Sequence, residues 1–162
     1  MYTIKPDNLP AFDVFCDQTT AGGGWTVFQK RLDGSVDFFL DWSDYKVGFG
    51  DLNDEFWLGL DKIRGLTSED NSLLRVDLED FEGHTAYAEY NKFGVMSETD
   101  KCKLILDYYS GALSLLKQQL YKLVFSYSCR YKITLDKTTT TTESLKSEFV
   151  NPLETNESLQ LF

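Results

Sequence analysis

The side chains able to do chemistry are few, and their spacing argues against most of it. Three cysteines, Cys16, Cys102 and Cys129, and one histidine, His84, are the only thiol and imidazole side chains in this 162-residue chain. Structural zinc sites draw on closely spaced cysteine pairs or on several imidazoles. Thiols this far apart, with a single imidazole, exclude that pattern. His84 follows Gly83 in a turn and has no serine or cysteine partner in a nucleophile motif, so no acyl-transfer triad is written here. Cys102 lies between Lys101 and Lys103, whose charge could activate a thiol. In a strand those lysines project from the opposite face, and the thiol is expected to be inert. An odd number of thiols leaves at least one without a partner inside the chain, as in part of a longer secreted protein or in a reducing compartment.

The carboxylates fare no better as a metal site. In the run Asp77, Glu79, Asp80 and Glu82, the twelve-residue calcium-loop pattern would need a carboxylate where Phe81 stands and a glycine where Glu82 stands. A solvated strand face is the simpler reading. Asp51, Asn53, Asp54 and Glu55 fail the same test at Phe56, and helix capping accounts for them. Gly22-Gly23-Gly24 lacks both the spacing of a dinucleotide loop and the Gly-Lys-Ser/Thr of a phosphate loop, so it reads as a turn. No catalytic, cofactor-binding, metal-binding or ligand-binding residue is assigned from the sequence, and no cofactor is expected.

The elements around these residues carry more information. A chain of this length can bury roughly 70% of the surface its unfolded form exposes, and 42% hydrophobic with 26% charged residues is ordinary for one folded domain. The net charge of −10 disfavours nucleic acid and anionic membranes as partners, and no segment approaches the apolar length of a membrane span. The first residues lack the basic and apolar regions of an export signal. Charge divides near Leu113: residues 1–113 hold 21 acidic against 10 basic side chains, residues 114–162 hold 5 against 6.

In the acidic part, Phe12 to Phe15 and Trp25 to Gln29 are β-prone runs flanking Thr19 to Gly24, which predicts a hairpin. Phe56, Leu60, Ile63 and Leu66 recur at helical spacing, predicting a helix over Asp54 to Leu66 with Asp54 as cap. Leu74, Val76 and Leu78 alternate with charged residues, and Tyr87 to Val95 and Lys103 to Leu106 continue the β style, predicting an antiparallel meander. Helices segregated from such a sheet make the fold class α+β. Beyond Leu113, the positions Leu113, Leu116, Leu120, Leu123, Val124 and Tyr127 follow a helical period, and Tyr131 to Leu135 alternates briefly like a strand. The polar stretch from Asp136 is expected to pack little.

The same residues also spell a known pattern. Phe12-Asp13-Val14-Phe15-Cys16-Asp17, Thr19-Thr20-Ala21-Gly22-Gly23-Gly24-Trp25-Thr26-Val27-Phe28-Gln29-Lys30-Arg31 and Asp33-Gly34-Ser35-Val36-Asp37-Phe38 resemble the opening of the fibrinogen C-terminal globular domain. Trp42-Ser43-Asp44-Tyr45-Lys46, Gly48-Phe49-Gly50, Glu55-Phe56-Trp57-Leu58-Gly59, Ile63 with Leu66-Thr67, Leu74-Arg75-Val76-Asp77-Leu78 and Tyr108-Tyr109-Ser110-Gly111 follow in the family's order.

That resemblance, over about residues 2–112, implies a non-enzymatic extracellular module related to fibrinogen chains, ficolins, tachylectins, angiopoietins and tenascins. The resemblance implies first a lectin-type module that recognises carbohydrates, often through acetyl groups, with a protein-interaction module of the matrix or growth-factor type, as in tenascins and angiopoietins, as the alternative. It divides the chain into a partial domain, 1–112, with an N-terminal hairpin subdomain and a central antiparallel sheet with helices, and a divergent segment, 113–162, with a possible helix and a polar tail. The upstream cysteine that would pair with Cys16, the calcium loop and the ligand-binding third subdomain are not matched, and Cys102 stands where the family commonly has another residue. The expectation is therefore a chain truncated at both ends that is deficient in ligand binding, with no calcium site. Each missing disulfide would lower stability by about 2–5 kcal/mol. The sequon Asn156-Glu157-Ser158 lies in the divergent tail.

Overall fold

A computed structural model describes residues 1–6, 8–68, 72–111 and 130–137. Two antiparallel meanders are its frame. In the first, β1 (Tyr2–Ile4) pairs with β2 (Phe12–Asp17), and β2 with β3 (Trp25–Arg31), forming the hairpin that the flanking apolar runs predict. Its reversal is a 3-10 turn over Thr20–Gly22. Asp17 holds that turn, accepting the Thr19 and Thr20 backbone N–H groups at 2.8 and 3.0 Å and both threonine hydroxyls.

In the second meander, β6 (Ser72–Glu79) pairs with β7 (Thr85–Tyr90), which pairs with β10 (Tyr109–Gly111). The alternation read from the sequence is realised: Ser72, Leu74, Val76 and Leu78 are buried, and Leu73, Arg75, Asp77 and Glu79 face the other way. β11 (Arg130–Lys137) lies between the meanders, antiparallel to β3 on one side and β6 on the other, in the order β1-β2-β3-β11-β6-β7-β10. The brief alternation at Tyr131 to Leu135 therefore falls in a central strand. Its register sets Tyr131, Ile133 and Leu135 opposite the core-facing Leu78, Val76 and Leu74. The polar stretch expected to pack little from Asp136 begins later, because Asp136 and Lys137 still pair with Leu73 and Ser72 in β11; its remainder, Cys129 and the helical period from Leu113 to Tyr127 lie outside the described residues.

Three further expectations need correction. The predicted helix from Asp54 is shorter, because α2 runs Leu60–Leu66 and Gly59, not Asp54, precedes it. Phe56 and Trp57 instead form β5 (Phe56–Trp57), which pairs with β3 and with β4 (Phe49–Gly50). Glu55 to Leu60 are buried without interruption, as suits backbone enclosed on both faces but not a helix that turns one side to water. The continuous strand style of Tyr87 to Val95 is also broken. β7 ends at Tyr90, and β8 (Phe93–Val95) leaves to pair with β9 (Leu104–Leu106) in a separate two-stranded sheet. Cys102 is not in a strand. It lies in a turn directly after Lys101, and both residues are left-handed, with φ of 49° and 59°.

The core is built where the sheet meets α2. Val14, Val27, Phe28, Phe56, Ile63, Val76 and Phe93 are nearly inaccessible, and Phe28 stacks on Phe93 at 5.6 Å while meeting Trp57 edge-on at 6.0 Å. A second aromatic chain runs from Trp57 through Tyr45 and Phe49 to Phe38. It anchors α1 (Trp42–Val47), which the sequence reading does not predict. Backbone crosses backbone at Gly48 and Gly59. A Cβ on Gly48 would lie 2.3 Å from the Leu58 carbonyl oxygen, one on Gly59 2.3 Å from that of Val47, and both residues have φ near +105°.

One buried carboxylate organises the loop leading to α1. Glu55 is fully buried. Its Oε1 accepts the N–H groups of Leu32, Asp33 and Gly34 at 2.6, 3.0 and 2.9 Å, and its Oε2 that of Val36 at 3.0 Å. Arg31 lies 3.4 Å from the same carboxylate, donates to the Val36 carbonyl at 3.0 Å and stacks its guanidinium 3.8 Å from the Phe38 ring centre. Burial pushes the Glu55 pKa up, but the four backbone donors outweigh it and hold the carboxyl below its usual 4.5.

Two outcomes follow from this geometry. Gly59→Ala should destabilise the chain by at least about 2 kcal/mol in urea unfolding, whereas Gly22→Ala, with a positive φ but open space around it, should cost about half as much. Equal costs would contradict the crossing. Glu55→Gln, which leaves Arg31 without its buried counter-charge, should cost about 3–5 kcal/mol near neutrality. Because the folded-state pKa is depressed, this advantage is complete above pH 4.5 and is lost as pH falls through the lower native value. The stability gap between wild type and variant should therefore narrow in denaturant titrations taken from about pH 6 to about pH 3.

Candidate functional site

The segment from Leu32 to Val47 is pinned from beneath and bare on top. Below it lie the Glu55 and Arg31 contacts, the Tyr45 hydroxyl donating to the Phe38 carbonyl at 2.8 Å, and the Trp57 indole N–H donating to the Tyr45 carbonyl at 2.7 Å. Asp41 caps α1, its carboxylate accepting the N–H groups of Ser43 and Asp44. Hydrogen bonds from Ser43 and Asp44 hold the Asp41 pKa below its usual value. Above this support Phe39 is 88% exposed, Leu40 38%, Trp42 43% and Val47 63%.

Beside Trp42, between α1 and α2, is a cleft of about 180 Å3 whose walls include Lys46, Arg64, Met96, Glu98 and Cys102. Glu98 accepts from the Trp42 indole Nε1 at 3.3 Å and from Lys46 Nζ at 2.5 Å. The Lys46 hydrogen bond, followed by that of Trp42, lowers the Glu98 pKa, and the same contact raises that of Lys46. The cleft therefore presents an indole of defined orientation next to a neutralised ion pair. Binding a flat or cationic group is within its chemistry.

The residues singled out in the sequence are scattered. Asp80 and His84 meet at the β6–β7 hairpin tip, where the carboxylate accepts the backbone N–H groups of Glu82 and His84 and lies 2.9 Å from the imidazole Nδ1. With Glu82 they bring three donor atoms within 4.8 Å of one another on an exposed turn. Hydrogen bonding to His84 lowers the Asp80 pKa. Asp77 and Glu79 stay on β6, where Arg75 bonds Asp77 and Glu89 and stacks on Tyr87. Asp51 closes a local turn through the Asn53 N–H at 2.8 Å, and Gly22 to Gly24 remain part of the hairpin turn. Cys102 is buried beside the cleft, and desolvation, followed by Glu98 and Asp61, raises its pKa, which favours the protonated thiol. Cys16 is half-buried and free.

Sequence reasoning assigned no role to Trp42 or Phe39 and read Glu55 only as part of a helix-capping run. A signal for the first two exists: between Arg31 and Lys46 the chain has four aspartates, no lysine or arginine, and the run Phe38-Phe39-Leu40 followed by Trp42.

Comparison with known proteins bears on this scaffold directly. A profile for the C-terminal globular domain of fibrinogen beta and gamma chains matches residues 1–149. Fibrinogen C domain-containing protein 1 of Xenopus tropicalis and Fibrinogen C domain-containing protein 1-A of Xenopus laevis are each 58% identical over 96 residues, covering 59% of this chain and 21% of theirs. The chain thus spans about a fifth of the length of these curated relatives. Among solved structures, the fibrinogen-like globe domain of human ANGPTL2 is 45% identical with a TM-score of 0.68, covering 70% of this chain and 53% of that one. That of human ANGPTL6 is 43% identical with a TM-score of 0.67, covering 72% and 52%. Lamprey fibrin D-dimer, complexed with the peptide Gly-His-Arg-Pro-amide, is 38% identical with a TM-score of 0.60, covering 70% and 39%. With the profile reaching residue 149 and these globes sharing the fold, the chain belongs to the fibrinogen C-terminal globular domain family.

Proposed function

We propose that this chain is an extracellular recognition module whose partners are polypeptides, engaged through its outer surface without a metal or cofactor. The family is one of recognition domains rather than catalysts, and no helix among the described residues is long and apolar enough to cross a membrane. The observation carrying the reading is the bare top of the pinned Leu32 to Val47 segment. Large apolar side chains held rigidly and left in water are what protein interfaces use, since little ordering entropy is lost on contact. A solved relative complexed with a short peptide supports the same class of partner.

Glycan recognition of the ficolin and tachylectin kind, through acetyl groups and with calcium, is the second reading. It rests on the family resemblance alone, together with the expectation that this chain is deficient in it. The test applies the purified chain to an array of extracellular-protein peptides and to a glycan array, each with calcium and with chelator. Peptide signals that survive chelation and excess N-acetylglucosamine, beside a blank glycan array, are expected. Calcium-dependent glycan signals with a blank peptide array would reverse the assignment.

A further inference from the structure

We propose that Phe39, Leu40 and Trp42, with the cleft beside Trp42, form a docking surface for a basic segment of a partner polypeptide. A lysine or arginine of that segment stacks on the Trp42 indole, and an adjacent apolar side chain lies against Phe39. The inference rests on the polypeptide-recognition reading and adds to it the place and the chemistry of the partner.

Three observations converge on it. Trp42 is the exception among the tryptophans: Trp25 and Trp57 are 5% and 8% exposed, whereas Trp42 is 43% exposed. Its indole N–H is nonetheless held by Glu98 at 3.3 Å, which directs the ring while the residue stays exposed. An aromatic fixed in this way needs no reorganisation on binding, and tryptophan is the residue type that contributes most at interface centres.

The segment that carries the patch is acidic. Asp33, Asp37, Asp41 and Asp44 fall between Arg31 and Lys46 with no cation among them, and Asp33, Asp37 and Asp41 are exposed. Two of the nearby cations are paired, Lys46 with Glu98 and Arg31 with Glu55. On the far wall of the cleft, α2 carries Asp61, Lys62 and Arg64, a net of +1, and Lys62 Nζ donates to the Val47 carbonyl at 3.0 Å; the four aspartates of the segment outnumber it. A cationic group is drawn into such a field and an anionic one is repelled. The face of an indole also attracts cations through its quadrupole. A neutral sugar would find the ring but make no use of the aspartates, which is why the partner is assigned as basic polypeptide.

The probe is a fluorescein-labelled dodecapeptide alternating arginine with leucine, compared with one in which glutamate replaces arginine and with N-acetylglucosamine oligomers. Binding is followed by anisotropy, and occupancy of the patch by protection of the exposed tryptophan from acrylamide quenching. The arginine peptide should bind and protect, while the glutamate peptide should not. Trp42→Ala should weaken binding about tenfold or more, and Phe39→Ser by a smaller factor. Raising the salt to about 0.5 M should weaken it further. Glu82→Gln at the distant hairpin tip should leave it unchanged. Phe39 is so exposed that its substitution cannot unfold the chain, and it decides the matter if Trp42→Ala proves unstable.

Binding equally strong in Trp42→Ala and Phe39→Ser, or in Phe39→Ser alone, overturns the surface while leaving polypeptide recognition standing on the peptide array. Protection by the N-acetylglucosamine oligomers but not by the arginine peptide overturns the partner chemistry. A blank peptide array defeats the underlying reading itself.

Discussion

A single buried carboxylate fixes the geometry of the exposed surface. Glu55 sits without solvent contact and accepts four backbone N–H groups from residues 32 to 36 while facing Arg31. A loop folding back on itself there would otherwise leave several donors with neither water nor a partner, which costs on the order of 1–3 kcal/mol per group. Collecting them on one anion turns that cost into a constraint. The loop has one path, and everything downstream to α1 inherits it.

The constraint passes along aromatic rings rather than along the sheet. Arg31 lies on Phe38, Phe38 meets Phe49 edge-on, Phe49 meets Tyr45, and Tyr45 leans on Trp57, whose indole N–H returns to the Tyr45 carbonyl. Rings packed at these angles resist sliding, because a shift that improves one contact worsens the next. The crossing of Gly48 and Gly59 brings the start of α2 hard against the end of α1, closing the support from the other side. Phe39, Leu40, Trp42 and Val47 are left to the solvent.

Such an arrangement divides labour between rigidity and chemistry. The buried groups set positions and have no free capacity for a ligand. The exposed ones have capacity, with Trp42 directed by Glu98 and the rest held in place by the backbone beneath them. A surface of this kind suits reversible contact, since association need not order a flexible loop. The aspartates along the same segment add discrimination by charge without building a pocket. The Lys46–Glu98 pair, being exposed, contributes little to stability, and its consequence is the fixed direction of the Trp42 ring.

What could be read directly from the sequence was whatever depends on near neighbours. The hairpin around Gly22 to Gly24, the period-two face of β6 and the second half of the helix ending at Leu66 follow from local spacing and appear where expected. Family membership was equally legible, because ordered motifs survive as strings. Tertiary structure alone decided the rest. Glu55 binds groups 19 to 23 residues away, a separation that leaves no periodic trace, so its run looked like helix-capping polar residues. The apolar spacing from Phe56 fitted a helix equally well until pairing with β3 drew Phe56 and Trp57 into a strand. Cys102 left its expected strand because two left-handed residues close a turn there. The central position of β11 and the exposure of Trp42 beside two buried tryptophans are likewise matters of which surfaces meet. Local sequence sets the preferences of each segment, while burial and long-range hydrogen bonds choose among them, because only in the assembled fold does a polar group lose its water.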